Sequence, residues 1–267
     1  MRIARISHPG GRDYAAVEPN GYALIENPFG TASSAGGHPI RRTGVVVPRP
    51  VARLLAPVVP RTVVGMAHNT GPSDRALPPQ AFLKPVTTVT GPGQPIPLPP
   101  GVGLVEAEAE LAIVIGRTAS RLSLDEVADH ILGVTIANDV TARELQRTDP
   151  LWFAAKSGDG WTPLGPWIET GLNLAALDDL AVRLCVDGVD LPAASTANLA
   201  RSAAECLVYV TSVLTLQPGD VLLCGAPGRT GAITPGSRVS AVIDGVGRLD
   251  NTVTGYAPAT TRSEAVA

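Results

Sequence analysis

The sequence predicts an α+β protein built around a mixed, hairpin-rich sheet. Strand-like and helix-like patterns follow one another irregularly, whereas a doubly wound fold requires their regular alternation. Asp-Gly pairs at 187–188 and 244–245 lie between strand-like runs, which is a strong short-range signal for a hairpin. The chain also contains 28 Gly and 25 Pro among its 267 residues, which indicates many turns and short strands.

The beginning of the chain predicts a small β-rich lobe over residues 1–58, followed by a larger domain over residues 59–267. Strand-like pieces separated by Gly and Pro turns are "RIARIS", "YALIE" and "GVVVP". The proline-punctuated stretch "VPRPVARLLAPVVPRT" then leads into the second region, so we expect the boundary within it.

Clearer patterns follow a long region rich in Pro and Gly. Residues 110–116 predict a buried strand, because they are rich in β-branched side chains. Ser123 and Glu126 have the spacing of a capping box, which predicts a helix over residues 124–132. Gly133 follows this segment and is predicted to end the helix.

The later elements are predicted from similar patterns. The run "VTIAND" predicts a strand that delivers Asn138 and Asp139 at its end, and "TARELQR" predicts a short helix or turn. Apolar residues at helical spacing predict a helix within residues 198–214. The run "QPGD" predicts a turn before the strand "VLLCG".

The bulk composition excludes several classes of function. A formal charge of −3 provides no basic field, which argues against nucleic acid as a partner. No run approaches the roughly 18 apolar residues of a membrane span, and the first residues lack the apolar segment of a signal peptide, so we expect a cytoplasmic protein. Three widely spaced cysteines in apolar sequence predict buried thiols in a reducing compartment: Cys185, Cys206 and Cys224.

Lysine is rare in this chain, and Lys84 and Lys156 are the only two lysines. A coding bias toward arginine would explain this by itself. Arginine keeps its proton in proteins, however, whereas a buried lysine can lose it. A retained lysine therefore also fits a position that requires a titratable amine.

Residues 105–116, "VEAEAELAIVIG", contain a ladder of carboxylates that runs into an apolar strand. Because alternate residues of a strand share a face, Glu106, Glu108 and Glu110 are expected on one side. One interpretation is a solvated edge strand, where charges block pairing with another chain. The other is a divalent-metal site with Asp139 as a further ligand; oxygen ligands alone suit Mg²⁺, Mn²⁺ or Ca²⁺ better than zinc.

Five motifs resemble the fumarylacetoacetate hydrolase family in order and spacing, and the resemblance covers about residues 60–255. They are "EAELAIVIG", "GVTIANDVTARELQ", "AKSGDGWTPLGPWI", "TLQPGDVLLCGAP" and "GVGRLDNTV". The resemblance implies a mixed β-roll with peripheral helices as the catalytic domain, after a small N-terminal lobe. It also implies a homodimer and a small-molecule substrate that is a 1,3-dicarbonyl compound or a 2-oxo acid.

The resemblance further implies the residues of the site. The metal ligands would be Glu108, Glu110 and Asp139, the catalytic lysine would be Lys156, and the substrate-binding residues would be Arg143 and Gln146. Glu106 has no ligand role in this pattern. The implied cofactor is Mg²⁺ or Mn²⁺, and Ca²⁺ could replace it in crystals.

Substrates of this family chelate the metal through two oxygens, and the chelate stabilises an enolate. The same step serves carbon–carbon bond hydrolysis, decarboxylation and ketone–enol isomerisation. Hydrolytic cleavage is the first expectation, because it is the commonest activity of the group. A decarboxylase or isomerase acting on a related β-dicarbonyl is the alternative, and a non-catalytic metal-binding scaffold is the third.

The sequence departs from the hydrolytic members of the family in two places. Their general base is a histidine in an N-Y-x-x-H-x-x-E segment; here Gly71 occupies the histidine position and Asp74 the glutamate position. His68 occupies the tyrosine position of this segment. It is either a candidate catalytic base that reaches the site from a different point of the segment, or an ordinary loop histidine. In addition, relatives commonly have the motif T-G-T-P where this chain has "CGAP" at 224–227. Ala226 therefore lacks the threonine hydroxyl group that could bind a substrate carboxylate.

Overall fold

A computed structural model describes residues 1–30 and 40–256, which form three sheets and four α-helices. The first strands are β1 (Arg2–His8), β2 (Gly11–Glu18), β3 (Gly21–Ile25), β4 (Arg42–Val47) and β5 (Arg53–Leu54). Next come β6 (Val63–Ala67), β7 (Gln80–Lys84), β8 (Val89–Thr90), β9 (Pro95–Leu98), β10 (Val105–Ala107), β11 (Ala109–Ile115), β12 (Ile131–Asn138), β13 (Thr141–Ala142) and β14 (Thr162–Glu169). The last are β15 (Ala181–Val186), β16 (Val189–Asp190), β17 (Ala194–Ser195), β18 (Val221–Leu223), β19 (Gly231–Ile233), β20 (Arg238–Ile243) and β21 (Gly247–Gly255). The helices are α1 (Val127–His130), α2 (Arg143–Thr148), α3 (Phe153–Lys156) and α4 (Ala203–Val213).

The largest sheet has the strand order β4-β3-β2-β1-β14-β12-β11-β18-β6-β7, with β5 beside β1 and β8 beside β14. Most pairs are antiparallel, but β18 runs parallel to β6, and β8 runs parallel to β14. This mixed sheet with few helices confirms the predicted α+β class. Strand β1 pairs directly with β14, so the N-terminal strands extend the central sheet. The division after residue 58 stays a prediction.

A second sheet carries both hairpins that the Asp-Gly pairs predict. Strand β15 pairs with β16 around Asp187 and Gly188, and β20 pairs with β21 around Asp244 and Gly245. Asp187 and both glycines have positive φ, as a tight hairpin turn requires. The third sheet is small, with the order β13-β10-β19.

Strand β11 lies in the middle of the largest sheet and is buried on both faces. Leu111, Ile113 and Ile115 belong to the main hydrophobic cluster on one side. Ala112 and Val114 belong to a second cluster on the other side. With β12 and β18 as neighbours, this strand has no free edge, so the interpretation as a solvated edge strand is wrong for β11.

The helix predicted over residues 124–132 is wrong in its extent. Only α1, Val127–His130, is helical, and the chain enters β12 immediately afterwards. Gly133 lies inside β12, where a Cβ atom would approach the carbonyl oxygen of Glu169 to 2.4 Å. The glycine therefore permits close packing of β12 on β14, and pairing of these strands outweighs the local helix signal.

Helix α4 confirms the helix predicted within residues 198–214, and it begins at Ala203. Its first turn is closed by a capping box in which the Ser202 hydroxyl accepts from Glu205 N and the Glu205 carboxylate accepts from Ser202 N. This S-x-x-E spacing is visible in the sequence, although the helix is predicted from its apolar spacing alone. No helix in residues 1–30 and 40–256 combines the length and the apolar character that crossing a membrane requires.

Two of the three cysteines match the prediction of buried thiols. Cys206 and Cys224 are fully buried, and neither forms a disulfide bond. Cys185 is only half-buried, because it lies on β15 beside the open face of the second sheet. For Cys185 the prediction is wrong.

Candidate active site

Three buried carboxylates converge where β11 begins and β12 ends. Carboxylate oxygens of Glu108, Glu110 and Asp139 all lie within 4.8 Å of one another. The antiparallel pairing of β11 with β12 brings the two chain segments together, and Asp139 N donates to the carbonyl oxygen of Glu108 at 2.9 Å. The structure thus assembles the oxygen cluster that the sequence predicts.

Glu106 lies on a different strand from Glu110 and outside the carboxylate cluster. The regular strand is interrupted at Glu108, so that Glu106 belongs to β10 and the small third sheet. The expectation of three carboxylates on one strand face is therefore wrong for Glu106. Because the chain changes sheets at Glu108, the period-two alternation does not continue across this residue.

Two lysine side chains contact Asp139 from opposite directions. Lys156 Nζ, at the end of α3, lies 2.5 Å from Asp139 Oδ2 and 3.1 Å from Glu108 Oε2. Lys84 Nζ, at the end of β7, donates to Asp139 Oδ1 and to the carbonyl oxygen of Trp161. Both ammonium groups are buried. Sequence analysis gave Lys84 no role at the metal, although its rarity was a signal.

The pKa directions follow from these ion pairs. Burial raises the pKa of Asp139, but the charges of Lys156 and Lys84 outweigh it, so that the pKa lies below its ordinary value. Burial lowers the pKa of Lys156, but Asp139, Glu108 and Glu110 outweigh it and leave the pKa above its ordinary value. Lys156 is therefore an ammonium ion at neutral pH.

Glu110 supports a bound cation more directly than the other carboxylates. Among the described residues its carboxylate accepts from Gly225 N at 2.7 Å, and it has no lysine or arginine partner. Burial raises its pKa, and the neighbouring charges of Asp139 and Glu108 raise it further. A buried carboxylate with this surplus of negative charge is expected to need a cation. The residues present fit a divalent metal ion.

Arg143 connects the carboxylate cluster to Glu106. Its Nε lies 2.6 Å from Glu106 Oε2, a second nitrogen donates to Glu108, and Nη1 donates to Gln146 Oε1 at 2.9 Å. Glu106 Oε2 also accepts from the Thr230 hydroxyl at 2.7 Å. Glu106 thus holds Arg143 in position, a function that sequence reasoning missed because it assigned this residue no role.

A cavity of about 330 Å³ brings together all seven residues that the sequence assigns to the site. These residues are Glu108, Glu110, Asp139, Lys156, His68, Arg143 and Gln146. Their common location agrees with the assignment, and their individual roles stay predictions.

An aromatic wall, formed by His68, Phe82 and Trp152, closes one side of the cavity. Trp152 lies between the other two rings, with centroid separations of 5.5 Å to each. Lys156 Nζ lies 4.9 Å from the centroid of Phe82, a distance at which a cation is attracted to the ring face. The lysine therefore has carboxylates on one side and an aromatic ring on the other.

The backbone beside His68 is anchored through its neighbour Asn69. His68 has a positive φ of 52°, and its side chain is exposed. The buried Asn69 amide donates to Cys224 O at 2.7 Å and to Arg201 O at 3.1 Å, and accepts from Arg201 N at 2.7 Å. These bonds tie the loop to the residues that follow β18 and precede α4.

Asp74 does not orient His68. Its Oδ2 accepts from both the backbone nitrogen and the hydroxyl group of Thr70, each at 2.9 Å. Within the part of the chain that the structure describes, no carboxylate is hydrogen-bonded to His68. At Gly71, a Cβ atom would have nothing within 4 Å, so no other side chain fills the position of the missing histidine.

Comparison with known proteins agrees with this arrangement. Residues 60–254 match the family described as "Fumarylacetoacetate (FAA) hydrolase C-terminal", and residues 1–57 match "Rv2993c-like, N-terminal". Protein Rv2993c of Mycobacterium tuberculosis is 36% identical over 271 residues, which covers 95% of this chain and 98% of the relative.

Two solved structures show the range of activities among similar proteins. The 5-carboxymethyl-2-hydroxymuconate delta-isomerase from Mycobacterium smegmatis superposes with a TM-score of 0.87 at 37% identity, over 96% of this chain and 100% of that chain. Maleylpyruvate hydrolase from Sphingobium sp. SYK-6, in complex with manganese(II) and pyruvate, superposes with a TM-score of 0.77 at 25% identity, over 96% and 100%. Together with the matched motifs and the buried carboxylate cluster, these likenesses establish that the chain belongs to the fumarylacetoacetate hydrolase family.

Proposed function

We propose that this enzyme decarboxylates or isomerises a 2-oxo acid or a 1,3-dicarbonyl compound, with Mg²⁺ or Mn²⁺ held by Glu108, Glu110 and Asp139. The proposal is carried by one observation: the cavity contains a buried ammonium ion beside the carboxylates, but residues 1–30 and 40–256 place no histidine–carboxylate pair there that could activate water. It therefore reverses the first expectation from the sequence, which was hydrolytic cleavage.

The carboxylate cluster supplies the metal site in this proposal. Glu110 has no cationic partner among the described residues, so Lys156 and Lys84 leave one carboxylate charge uncompensated, and a divalent cation would offset it. Such a cation would supply Lewis-acid stabilisation of negative charge on a substrate oxygen. Oxygen ligands alone are compatible with either Mg²⁺ or Mn²⁺.

Lys156 is the proposed proton donor. In decarboxylation, the bond from the carboxylate carbon to the neighbouring carbon breaks, carbon dioxide leaves, and the electron pair remains on the substrate as an enolate. The Lys156 ammonium stabilises this charge and then gives a proton to carbon, after which water returns a proton to Nζ. Isomerisation of an enol to a ketone requires the same protonation at carbon, and the proton that the enol hydroxyl loses returns through water to Lys156 Nζ.

Arg143 and Gln146 are the proposed substrate-binding residues. Both line the cavity, and the hydrogen bond between them holds the guanidinium group. The aromatic wall, with Trp152 between His68 and Phe82, lines another part of the same cavity, where the Phe82 ring lies beside Lys156 Nζ.

The names of similar proteins agree with this choice. The Mycobacterium smegmatis structure is that of a delta-isomerase. A bifunctional isomerase/decarboxylase of homoprotocatechuate catabolism from Escherichia coli is 35% identical over 181 residues of this chain. The likeness to the manganese-containing hydrolase is weaker, at 25% identity.

The proposal is tested by comparing products with Mg²⁺ present. We expect release of carbon dioxide from oxaloacetate or loss of enol absorbance from an enolised 2-oxo acid, and no cleavage of acylpyruvates. The Lys156→Met variant is the matched control for metal-only chemistry in solution. Cleavage of acylpyruvates in ¹⁸O-labelled water, with label in the product acid, would contradict the proposal.

Hydrolytic carbon–carbon cleavage is the second candidate, and the position of His68 favours it. The imidazole lies on the cavity wall beside Trp152, so it could activate a water molecule without a carboxylate partner. This mechanism predicts that His68→Gln lowers the rate by about 10² or more.

We also propose that the enzyme is a homodimer. Leu83 and Val86, on and beside the edge strand β7, are exposed apolar side chains that a second subunit could cover. A single-chain mass of 27.5 kDa in light scattering would contradict this.

A further inference from the structure

The proposed metal ligand Glu108 lies at a break between two sheets. The residue before it ends β10 of the third sheet, and the residue after it begins β11 of the largest sheet. Glu108 itself has no partner in the strand registers of β10 or β11. It therefore lacks the regular ladder of hydrogen bonds that holds Glu110 inside β11. Other contacts have to hold the backbone of Glu108 in place.

Two consecutive residues at the end of β12 hold the Glu108 backbone. Asn138 Oδ1 accepts from Glu108 N at 3.0 Å, and Asp139 N donates to Glu108 O at 2.9 Å. Both backbone groups of Glu108 are thus satisfied, one by a side chain and the other by the main chain. The contact with Asp139 joins two of the proposed ligands and would survive a change of side chain. The contact with Asn138 depends on which side chain occupies position 138.

Asn138 occupies a position where the strand pattern favours an apolar side chain. Alternate residues of a strand share a face, and Val134 and Ile136 of β12 belong to the main hydrophobic cluster. Asn138 continues this face, and only 1% of it is exposed. Its Nδ2 has no hydrogen-bond partner within residues 1–30 and 40–256. Because a buried amide with an unpaired nitrogen destabilises the fold, the benefit of this residue has to come from Oδ1.

The amide oxygen of Asn138 provides an acceptor without adding charge. Position 138 adjoins a cluster in which three carboxylates already lie within 4.8 Å of one another. An aspartate here would add a fourth negative charge and increase the repulsion in the metal-free protein. A leucine would suit the apolar face but would leave Glu108 N buried without an acceptor, which is costly. Asparagine satisfies the backbone and avoids the extra charge.

We propose that Asn138 is a positioning residue, which holds Glu108 in place for metal binding through the hydrogen bond from Glu108 N to Asn138 Oδ1. This inference rests on the proposed function, because that function assigns the metal ion to Glu108, Glu110 and Asp139. Residues that orient a metal ligand without binding the metal themselves typically change metal affinity by about 10-fold to 100-fold when they are replaced. Asn138 acts in this way on the one ligand that lies between two sheets.

The test measures Mn²⁺ affinity by equilibrium dialysis and thermal unfolding of the metal-free protein, so that it does not depend on which reaction occurs. Asn138→Leu keeps roughly the volume of the side chain but removes the acceptor. We expect the Kd for Mn²⁺ to rise by about tenfold or more. Asn138→Ala is the second variant in case leucine prevents folding. Its affinity should also fall, because a water molecule in the vacated space could accept from Glu108 N without orienting it.

Asn251→Leu is the matched control for a merely structural role. Asn251 is also buried, and its amide donates to the carbonyl oxygens of Gly91 and Gln94, each at 2.9 Å, beside the second sheet. This variant should lose thermal stability, but its Mn²⁺ affinity should stay within about twofold of the wild-type value. Asn138→Asp keeps an acceptor oxygen, so its Mn²⁺ affinity should be at least that of the wild-type protein, although its metal-free form should be less stable.

The outcomes separate this inference from the proposed function. If the folded Leu and Ala variants of Asn138 keep the wild-type affinity, the positioning role is refuted and the proposed function is unaffected. The role is also refuted if Asn251→Leu weakens Mn²⁺ binding as strongly, or if Asn138→Asp does. If the affinity depends on Asn138 as expected but no 2-oxo acid is decarboxylated or isomerised, the positioning role stands and the proposed reaction is refuted. Failure of the wild-type protein to bind Mn²⁺ would overturn both.

Discussion

Glu106 and Arg143 form an ion pair in which Arg143 Nε lies 2.6 Å from Glu106 Oε2, and the same guanidinium group reaches Glu108. The pair links a residue of the small third sheet to the carboxylate cluster. Because the Thr230 hydroxyl also donates to Glu106, the loop after β18 is attached to the same point. Glu106 therefore sets the position of Arg143 without belonging to the cluster of Glu108, Glu110 and Asp139.

Glu106→Gln should weaken substrate binding without removing the metal. The amide keeps the volume of the carboxylate but loses its charge, so Arg143 is oriented less strictly. We expect KM to rise by about threefold to tenfold, in line with the loss of one charge-assisted hydrogen bond. Steady-state kinetics give KM, and equilibrium dialysis with Mn²⁺ gives the metal content. A loss of metal in this variant would mean that Glu106 is itself a ligand.

Asp139→Asn and Glu110→Gln should each reduce Mn²⁺ affinity by at least about 100-fold. Both changes preserve the shape of the side chain but remove one of three anionic ligands from a buried site. The wild-type protein should also gain thermal stability when Mg²⁺ is added, because the metal binds only the folded state. Neither variant should show this gain at the same Mg²⁺ concentration. Stoichiometric, tight Mn²⁺ binding by either one would refute the assignment of the ligands.

Lys156→Met should separate metal binding from chemistry. The change removes a buried positive charge that pairs with Asp139 and Glu108, so Mn²⁺ affinity should stay the same or increase. The rate should nevertheless fall by about 10² or more, because the variant loses the proton donor. Lys156→Arg keeps the positive charge, but arginine does not give up its proton, so the rate of this variant should also be low. An Arg variant with nearly full activity would show that charge alone is sufficient.

His68→Gln discriminates between the two candidate reactions. If Lys156 protonates the substrate and no water is activated, the rate should fall by less than about tenfold, through loosened packing against Trp152. Glutamine keeps a polar side chain of similar reach but cannot act as a base near neutral pH. A loss of about 10² or more would restore hydrolysis as the better assignment.

The carboxylate cluster is predicted from two sources. Strand spacing brings Glu106, Glu108 and Glu110 into consideration, with Asp139 as a further ligand, and leaves a solvated edge strand as the alternative. The family resemblance selects Glu108, Glu110 and Asp139 and leaves Glu106 out. Other features depend on contacts between distant segments. Lys84 meets Asp139 across 55 positions, and no local pattern signals that pairing.

The incorrect predictions have the same origin. The residues before Gly133 do have the local sequence pattern of a helix. Helix α1 nevertheless ends at His130, because the following residues pair with β11 and β14. Likewise, Glu106 was expected on the face of Glu108 because nothing in the sequence marks a change of sheet at that point. In both places tertiary pairing overrides a local preference.

Gly225 and Gly71 are the final pair of test positions, and alanine should destabilise the protein at Gly225 but have little effect at Gly71. Gly225 has φ near 101°, and a Cβ atom would lie 2.2 Å from the carbonyl oxygen of Asn69. Gly225→Ala should therefore lower the free energy of unfolding by about 2–4 kcal/mol and disturb the hydrogen bond to Glu110.

Gly71 has extended backbone and open space around it, so Gly71→Ala should change the free energy of unfolding by less than about 0.5 kcal/mol. Urea unfolding of the two variants, each with and without Mg²⁺, measures both effects. Because Gly225 N is the one hydrogen-bond donor to Glu110 within the described residues, Gly225→Ala should also weaken Mg²⁺ binding, whereas Gly71→Ala should not. Equal stability losses in the two variants would mean that the loop after β18 can move away from Asn69, and Glu110 would then be less rigidly held than its contacts indicate.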